Sequence, residues 1–337
     1  MAGDARRVAG QREGGAQALP RAHLQHRCRR AGTGEHVPLT SGSRDNLRGS
    51  LLMLAAMAGF ALEDVLIKQL AATLPVGQVL AMVGAGGGLI FSFITMRGGR
   101  RLVSADLLSR PVLLRNFSEA VGSAAFVTAL ALTTLSSASA ILQATPLAVT
   151  LGAALFLGEP VGWRRWTAIA LGFVGVLLII QPGLAAFTPA SLLAVLAVVM
   201  LAARDLASRT LPREIASVQV AAWGFLSLVP AGLVILLVMD LQPRMPDTGE
   251  LLRFAATVFI SCFGYYSLVA ATRIGEVSAV VPFRYTRLIF ALVLGYVVFD
   301  ERPDAMMLTG SALIVGTGLY TIWRSAWRRR QAFATRA

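Results

Sequence analysis

Ten long apolar runs divide this chain, each closed by a short polar gap. They cover roughly residues 49–72, 76–96, 111–133, 137–157, 164–181, 189–209, 216–239, 251–272, 277–299 and 304–323. A run of about 18 or more apolar residues crosses a ~30 Å hydrocarbon core as a helix. The pattern therefore predicts an all-α integral membrane protein with ten transmembrane helices. Links such as Leu74-Pro75-Val76 and Leu135-Ser136 leave almost no loop, which suits antiparallel neighbours. About 290 residues follow the leading segment, at roughly 29 per span and link, and leave no room for a separate soluble domain.

Charge gives the runs a direction. The chain is 55% apolar and 15% charged, where a soluble domain carries about 25% charged residues. Its net charge of +13 raises the possibility of nucleic acid, but the basic residues form no aromatic-interleaved patch. They punctuate the gaps instead. Arg97, Arg100, Arg101, Arg110, Arg164, Arg165, Arg209, Arg213, Arg273, Arg324, Arg328, Arg329 and Arg330 fall on one side. The other side holds Arg244 and Arg302, accompanied by Asp240, Asp247, Glu250, Asp300, Glu301 and Asp304. The positive-inside rule then predicts a bacterial inner (plasma) membrane protein with both termini cytoplasmic. Residues 1–48 are rich in Arg, Gly, Gln and Ala without apolar periodicity, and read as a disordered cytoplasmic tail. They hold all three histidines, His23, His26 and His36, near Cys28; an unstructured tail is the preferred reading over a metal site. Residues 324–337 read as a second, basic cytoplasmic tail.

The spans repeat. At an offset of 141–142 residues, Ser50-Leu51-Leu52 matches Ser191-Leu192-Leu193, Asp64 matches Asp205, and Lys68 matches Arg209. Gln78-Val79 matches Gln219-Val220, Gly122 matches Gly264, and Gly158-Glu159 matches Asp300-Glu301. Five helices per copy is an odd number, so the second copy enters the membrane from the opposite side. The chain reads as two inverted five-helix repeats, residues 49–181 and 189–323, an architecture typical of alternating-access carriers.

The first copy carries Ser139-Ala140-Ile141-Leu142-Gln143-Ala144-Thr145-Pro146 and then Phe156-Leu157-Gly158-Glu159-Pro160. The second carries Val280-Val281-Pro282-Phe283-Arg284-Tyr285-Thr286-Arg287 and then Phe299-Asp300-Glu301-Arg302-Pro303. On these stretches the chain resembles the drug/metabolite transporter superfamily, specifically its members with two EamA-type domains, over residues 50–325. The resemblance implies a transporter and leaves the substrate open. The second copy departs from the first in Asp300, which stands where the first has Gly158, and in two arginines inside its helix.

Ionisable groups inside spans are costly and mark functional candidates. Glu63 and Asp64 lie in the first span, and adjacent helical residues point about 100° apart. Asp64–Lys68 and Asp205–Arg209 have the spacing of i, i+4 ion pairs, with the two cations reaching opposite interfaces. Glu63 and Arg204 are then the unpaired members, free to meet across the repeats or to contact substrate. Arg115 and Glu119 form another such pair, with Arg115 snorkelling and Glu119 a candidate proton carrier or cation-binding carboxylate. Arg284 and Arg287 share a helix face beside Tyr285, and Pro282 is expected to open the helix there. The two arginines would hold a substrate carboxylate or phosphate, or close a gate with Glu119 or Glu63; both readings stay open. The glycines, among them Gly84, Gly86, Gly87, Gly88, Gly172, Gly175, Gly310, Gly316 and Gly318, are assigned to helix packing. Glu159 and Glu301 are assigned to helix ends, and Trp163, Trp166, Trp323 and Trp327 to the membrane interface.

No span contains a histidine and no nucleotide-binding motif is present, so neither a catalytic centre, a metal nor a cofactor is expected. The expected function is secondary transport of small polar metabolites, amino acid-like or related. The alternative is a non-transporting or lipid-handling membrane protein. The expected partners are a small-molecule substrate, membrane lipid and, as a candidate coupling ion, protons, with no nucleic acid; oligomeric state is left open.

Overall fold

The computed structural model describes residues 40–159, 161–184, 187–212 and 214–334, less the side chains of 40–43, 277, 278 and 325–334. His23, His26, His36 and Cys28 lie outside the described residues, as do most of the leading segment, Pro160 and Arg213. The first repeat comprises α1 (Thr40–Ala71), α2 (Val76–Arg97), α3 (Arg110–Leu132), α4 (Leu135–Leu142), α5 (Thr145–Phe156) and α6 (Trp163–Ile180). The second comprises α7 (Ser191–Arg209), α8 (Ser217–Val238), α9 (Thr248–Ile274), α10 (Val277–Val280), α11 (Thr286–Phe299) and α12 (Ala305–Ala334). Among the described residues nine stretches are long and apolar enough to cross a membrane. The 23-residue α3 is long enough but less apolar, since it carries Arg110, Arg115 and Glu119.

Two spans are broken, the ninth where Pro282 was expected to open it and the fourth without such an expectation. The fourth divides into α4 and α5 at Gln143 and Ala144, and the ninth into α10, a 3-10 turn over Val281–Tyr285, and α11. Prolines explain both. Pro146 opens α5 and Pro282 the 3-10 turn, and neither has an N–H to offer the carbonyl one turn back. A threonine hydroxyl makes the same bond in each copy, and in the first it serves the carbonyl that Pro146 leaves without a donor. Thr145 Oγ1 donates to the Leu142 carbonyl at 2.6 Å, and Thr286 Oγ1 donates to the Phe283 carbonyl at 2.6 Å. The two bonds are related by the repeat offset of 141.

Contacts between the copies show the same exchange. Gly122 on α3 packs against Leu201 on α7, while its counterpart Gly264 on α9 packs against Phe60 on α1, the counterpart of Leu201. The Gln78 amide bonds the backbone of Arg244 beyond α8 at 2.6 and 3.0 Å. Its counterpart Gln219 donates to the Arg101 carbonyl beyond α2 at 2.9 Å. Swapped contacts of this kind are what a two-fold relation between copies produces. Large apolar side chains such as Leu89, Phe93, Val238 and Val297 stand outward and exposed, as lipid-facing positions must.

Helix ends are finished with side chains. Glu301 accepts from the N–H groups of Leu135 and Ser136 at the start of α4, at 2.6 and 2.9 Å. Asp304 accepts from Gln181 Nε2 at 2.6 Å and from the Met307 N–H at 2.7 Å. These bonds hold the Asp304 carboxyl below the usual carboxylate range. A depressed carboxyl stabilises the fold above its unfolded pKa, and the contribution is lost as pH falls through the folded value. Asp304→Ala is expected to cost about 1 kcal/mol near neutral pH, and the deficit should vanish at low pH. Thermal unfolding of the two proteins across pH checks this; a deficit that persists in acid would contradict it.

Candidate functional site

Most of the charged side chains of the spans gather in two interior groups, each fed by both repeats. Asp64 is buried, and Arg287 of α11 grips it with Nη2 at 2.8 Å from each carboxylate oxygen and Nε at 3.2 Å. The Arg287 guanidinium also lies over the rings of Phe60 and Phe126, at 5.5 and 5.6 Å, an arrangement that suits a weakly hydrated planar cation. A second group forms around Glu119. Arg115 donates to it at 2.8 Å, Arg204 at 3.1 Å and Ser123 at 3.3 Å. Arg204 also donates to Asp205 at 2.9 and 2.7 Å.

Several expected pairings are corrected. Asp64 does not pair with Lys68, because the guanidinium fork of Arg287 reaches both of its oxygens. Lys68 instead donates to the carbonyls of Leu130, at 2.9 Å, and Thr133. Both belong to the last turn of α3 and its cap, where carbonyls lack helical donors and favour a cation. Asp205 does not pair with Arg209 but with its neighbour Arg204; Arg209, half exposed, reaches Glu159 at 3.3 Å. Glu63 and Arg204 do not meet. Glu63 accepts from Ser261 at 2.5 Å, and Arg204 serves α3. Arg115 forms the expected bond to Glu119 but does not snorkel. It is 7% exposed, and its guanidinium occupies the space a Cβ on Gly224 would fill.

These contacts obey the repeat as well. Glu63 and Arg204 are counterparts at an offset of 141, and Glu119 and Ser261 at 142. The bond from α1 to α9 and the bond from α7 to α3 are therefore the same joint in two copies. One copy builds it from an acid and a hydroxyl, the other from a base and an acid. The site lies inside a duplicated frame whose two halves differ in charge.

Arg284 occupies the break in the ninth span, and its counterpart at the same offset of 141 is Gln143, in the break of the fourth. Gln143 Nε2 donates to the Arg284 carbonyl at 3.2 Å. Residues that are each other's counterparts touch only near the axis relating the copies. For inverted repeats that axis runs in the membrane plane, so Arg284 and Gln143 mark the middle of the bundle. Arg284 does not follow Arg287 onto one pairing face, because the 3-10 turn separates it from α11. No ion-pair partner for it lies among the described residues; Asp205, Arg204 and Arg287 are among the charges whose fields reach it. Tyr285 beside it is buried against Gly318, and its hydroxyl has no hydrogen-bond partner among the described residues. Gln143, Ser261, Phe60 and Phe126 did not stand out in the sequence. Gln143 was recoverable by carrying Arg284 back through the repeat offset, and Ser261 by carrying Glu119 forward.

Two inverted repeats that meet at broken, charged helices define a membrane carrier. The family model for the EamA-like transporter family matches residues 47–181 and again residues 188–323. The chain belongs to that family: it is a transporter, not an enzyme. It is 30% identical over 219 residues to a riboflavin transporter of Rhizobium johnstonii, covering 65% of this chain and 72% of that one. It is 25% identical to an S-adenosylmethionine uptake transporter of Rickettsia conorii, covering 64% and 73%. Against the pseudopaline exporter CntI of Pseudomonas aeruginosa the identity is 27%, covering 79% and 93%. A solved structure titled only "Crystal structure of protein" shares the fold, with a TM-score of 0.57 at 19% identity over 86% of this chain and 99% of that one.

Proposed function

We propose that this chain is a proton-coupled secondary transporter of small polar metabolites that carry an anionic group, amino acid-like or related, and that Arg284 binds that group. The observation that carries the reading is the position of Arg284. It is a cation without an ion-pair partner among the described residues, set in a helix break at the axis between the repeats. An ionised group inside a span is expensive unless compensated, and a substrate carboxylate offers a guanidinium two parallel hydrogen bonds. S-adenosylmethionine, named for one similar protein, contains an amino acid group of this kind. Tyr285 and Gln143 flank the position with a free hydroxyl and an amide. Glu63 is the carboxyl placed to carry a proton, because its hydrogen-bond partner is the neutral Ser261. Glu119, by contrast, is neutralised by two arginines. The substrate site opens alternately as one repeat rocks against the other, in the bacterial inner membrane, with the arginine-rich face cytoplasmic.

The test is uptake into proteoliposomes of labelled amino acids, nucleosides and vitamins, with and without a pH gradient. Arg284→Gln is expected to raise KM for the transported species by about tenfold, the loss of one charge-assisted contact, with maximal rate less affected. Glu63→Gln should abolish the dependence on the pH gradient. Wild-type KM in the Arg284→Gln vesicles would sink the assignment.

A further inference from the structure

Away from the centre, a polar pocket and an apolar groove meet on the flank of the bundle. The pocket, of about 220 Å³, lies where α6 begins and α12 approaches its end, and is lined by Gly162, Trp163, Arg164, Arg165 and Arg324. The groove, of about 430 Å³, shares Trp163 and Arg164 with the pocket and continues between the two helices past Leu171, Leu313, Gly316 and Tyr320. From Arg164 to Leu171 the groove descends about 10 Å along α6. Trp163 is 70% exposed and Trp323 is 61% exposed; tryptophans so placed at span ends mark the headgroup level.

The two copies differ at this place. The counterpart of Gly162 is Asp304, whose carboxylate accepts the Met307 N–H at the start of α12. At the start of α6 the cap is Gly162, which makes no side-chain hydrogen bond. One copy thus answers its helix N-terminus with an acid of its own. In the other, three arginines line the pocket beside that end, where a helix dipole and guanidinium groups both favour an anion.

We propose that this flank binds an anionic phospholipid, its phosphate among Arg164, Arg165 and Arg324 and an acyl chain in the groove beside Gly316. The occupant is a lipid rather than free phosphate because the cationic pocket opens into an apolar channel facing the bilayer. The channel has room for it: a Cβ at Gly316 meets nothing within 4 Å. Because Arg164 and Arg165 belong to one repeat and Arg324 to the other, a bound lipid bridges the two.

The full chain is reconstituted in nanodiscs of equal phosphatidylcholine and phosphatidylglycerol, and the lipid it retains on release is counted by native mass spectrometry. Preferential retention of phosphatidylglycerol is expected. Arg165→Ala and Arg324→Ala should each reduce that retention about fivefold, while Arg165→Lys and Arg324→Lys keep most of it. Gly316→Leu, which fills the groove, should release the lipid from an otherwise intact protein. Equal retention of both lipids would overturn the proposal, as would phosphatidylglycerol retention unchanged in the alanine and leucine variants. Loss in the lysine variants as large as in the alanine ones would overturn the assignment to charge. Inorganic phosphate added to phosphatidylcholine-only discs should not raise the melting temperature; a rise matching that from phosphatidylglycerol would identify a free-phosphate site instead.

Discussion

Asp64→Asn and Arg287→Gln are each expected to destabilise the folded protein by about 3 kcal/mol or more and to stop transport. The Asp64 side chain is 3% exposed, that of Arg287 is 19% exposed, and the pair closes at 2.8 Å. Removing one member leaves a largely buried charge without its ion-pair partner. The phenylalanine rings around Arg287 soften the loss of Asp64 only slightly, since a cation–π contact contributes about 1 kcal/mol. The double variant Asp64→Asn/Arg287→Gln removes both charges and should recover much of the stability. Transport should not recover with it if the pair also orders the helix break that presents Arg284. Denaturant unfolding in detergent and uptake by proteoliposomes separate the two effects. Single variants as stable as the wild type would show that the pair is not the buried joint between α1 and α11 described above.

The sequence was most legible where one physical rule acts alone. Span length follows from the thickness of a bilayer, and the transmembrane helices followed from it. The repeat was visible because Gln78 and Gln219 keep the same residue type at one offset, and both still bond the backbone of the other copy. Pro282 announced its helix break, since proline removes a donor whatever surrounds it. The break at Gln143 was harder to see. Pro146 lies three residues later, at the start of α5, a position where proline also opens ordinary helices.

Pairing was read less well than placement. The i, i+4 rule put Lys68 with Asp64 and Arg209 with Asp205, because sequence spacing sees only neighbours on one helix. In the bundle, a partner from another repeat with better geometry takes precedence. Arg287 reaches Asp64 across 223 residues, and Glu119 receives Arg204 across 85. Lys68 was lost to carbonyls at the end of α3, which no side-chain pattern reveals. Only the Arg115–Glu119 pair, on one helix, formed as its spacing suggested.

Gly77→Ala and Gly232→Ala are expected to destabilise the bundle by about 3 kcal/mol each, and Gly232→Leu should abolish recovery of folded protein. A Cβ built at Gly77 would run into the Gly232 carbonyl oxygen, and one at Gly232 into that of Gly77. The obstruction on both sides is backbone, so no side chain can rotate away; α2 and α8 must separate. Separation also opens the close approach at Gly84, where a Cβ would lie 2.7 Å from the Phe225 carbonyl oxygen. Helix propensity acts in the opposite direction, since alanine exceeds glycine by about 1 kcal/mol in an open helix. Gly316→Ala supplies the control, because open space surrounds that position. The comparison therefore turns on sign: Gly316→Ala neutral or stabilising, Gly77→Ala and Gly232→Ala destabilising, from one chemical change in similar helices. Thermal inactivation followed by size-exclusion chromatography in detergent reads it directly. Equal midpoints for Gly77→Ala and Gly316→Ala would mean that α2 and α8 do not meet at this crossing.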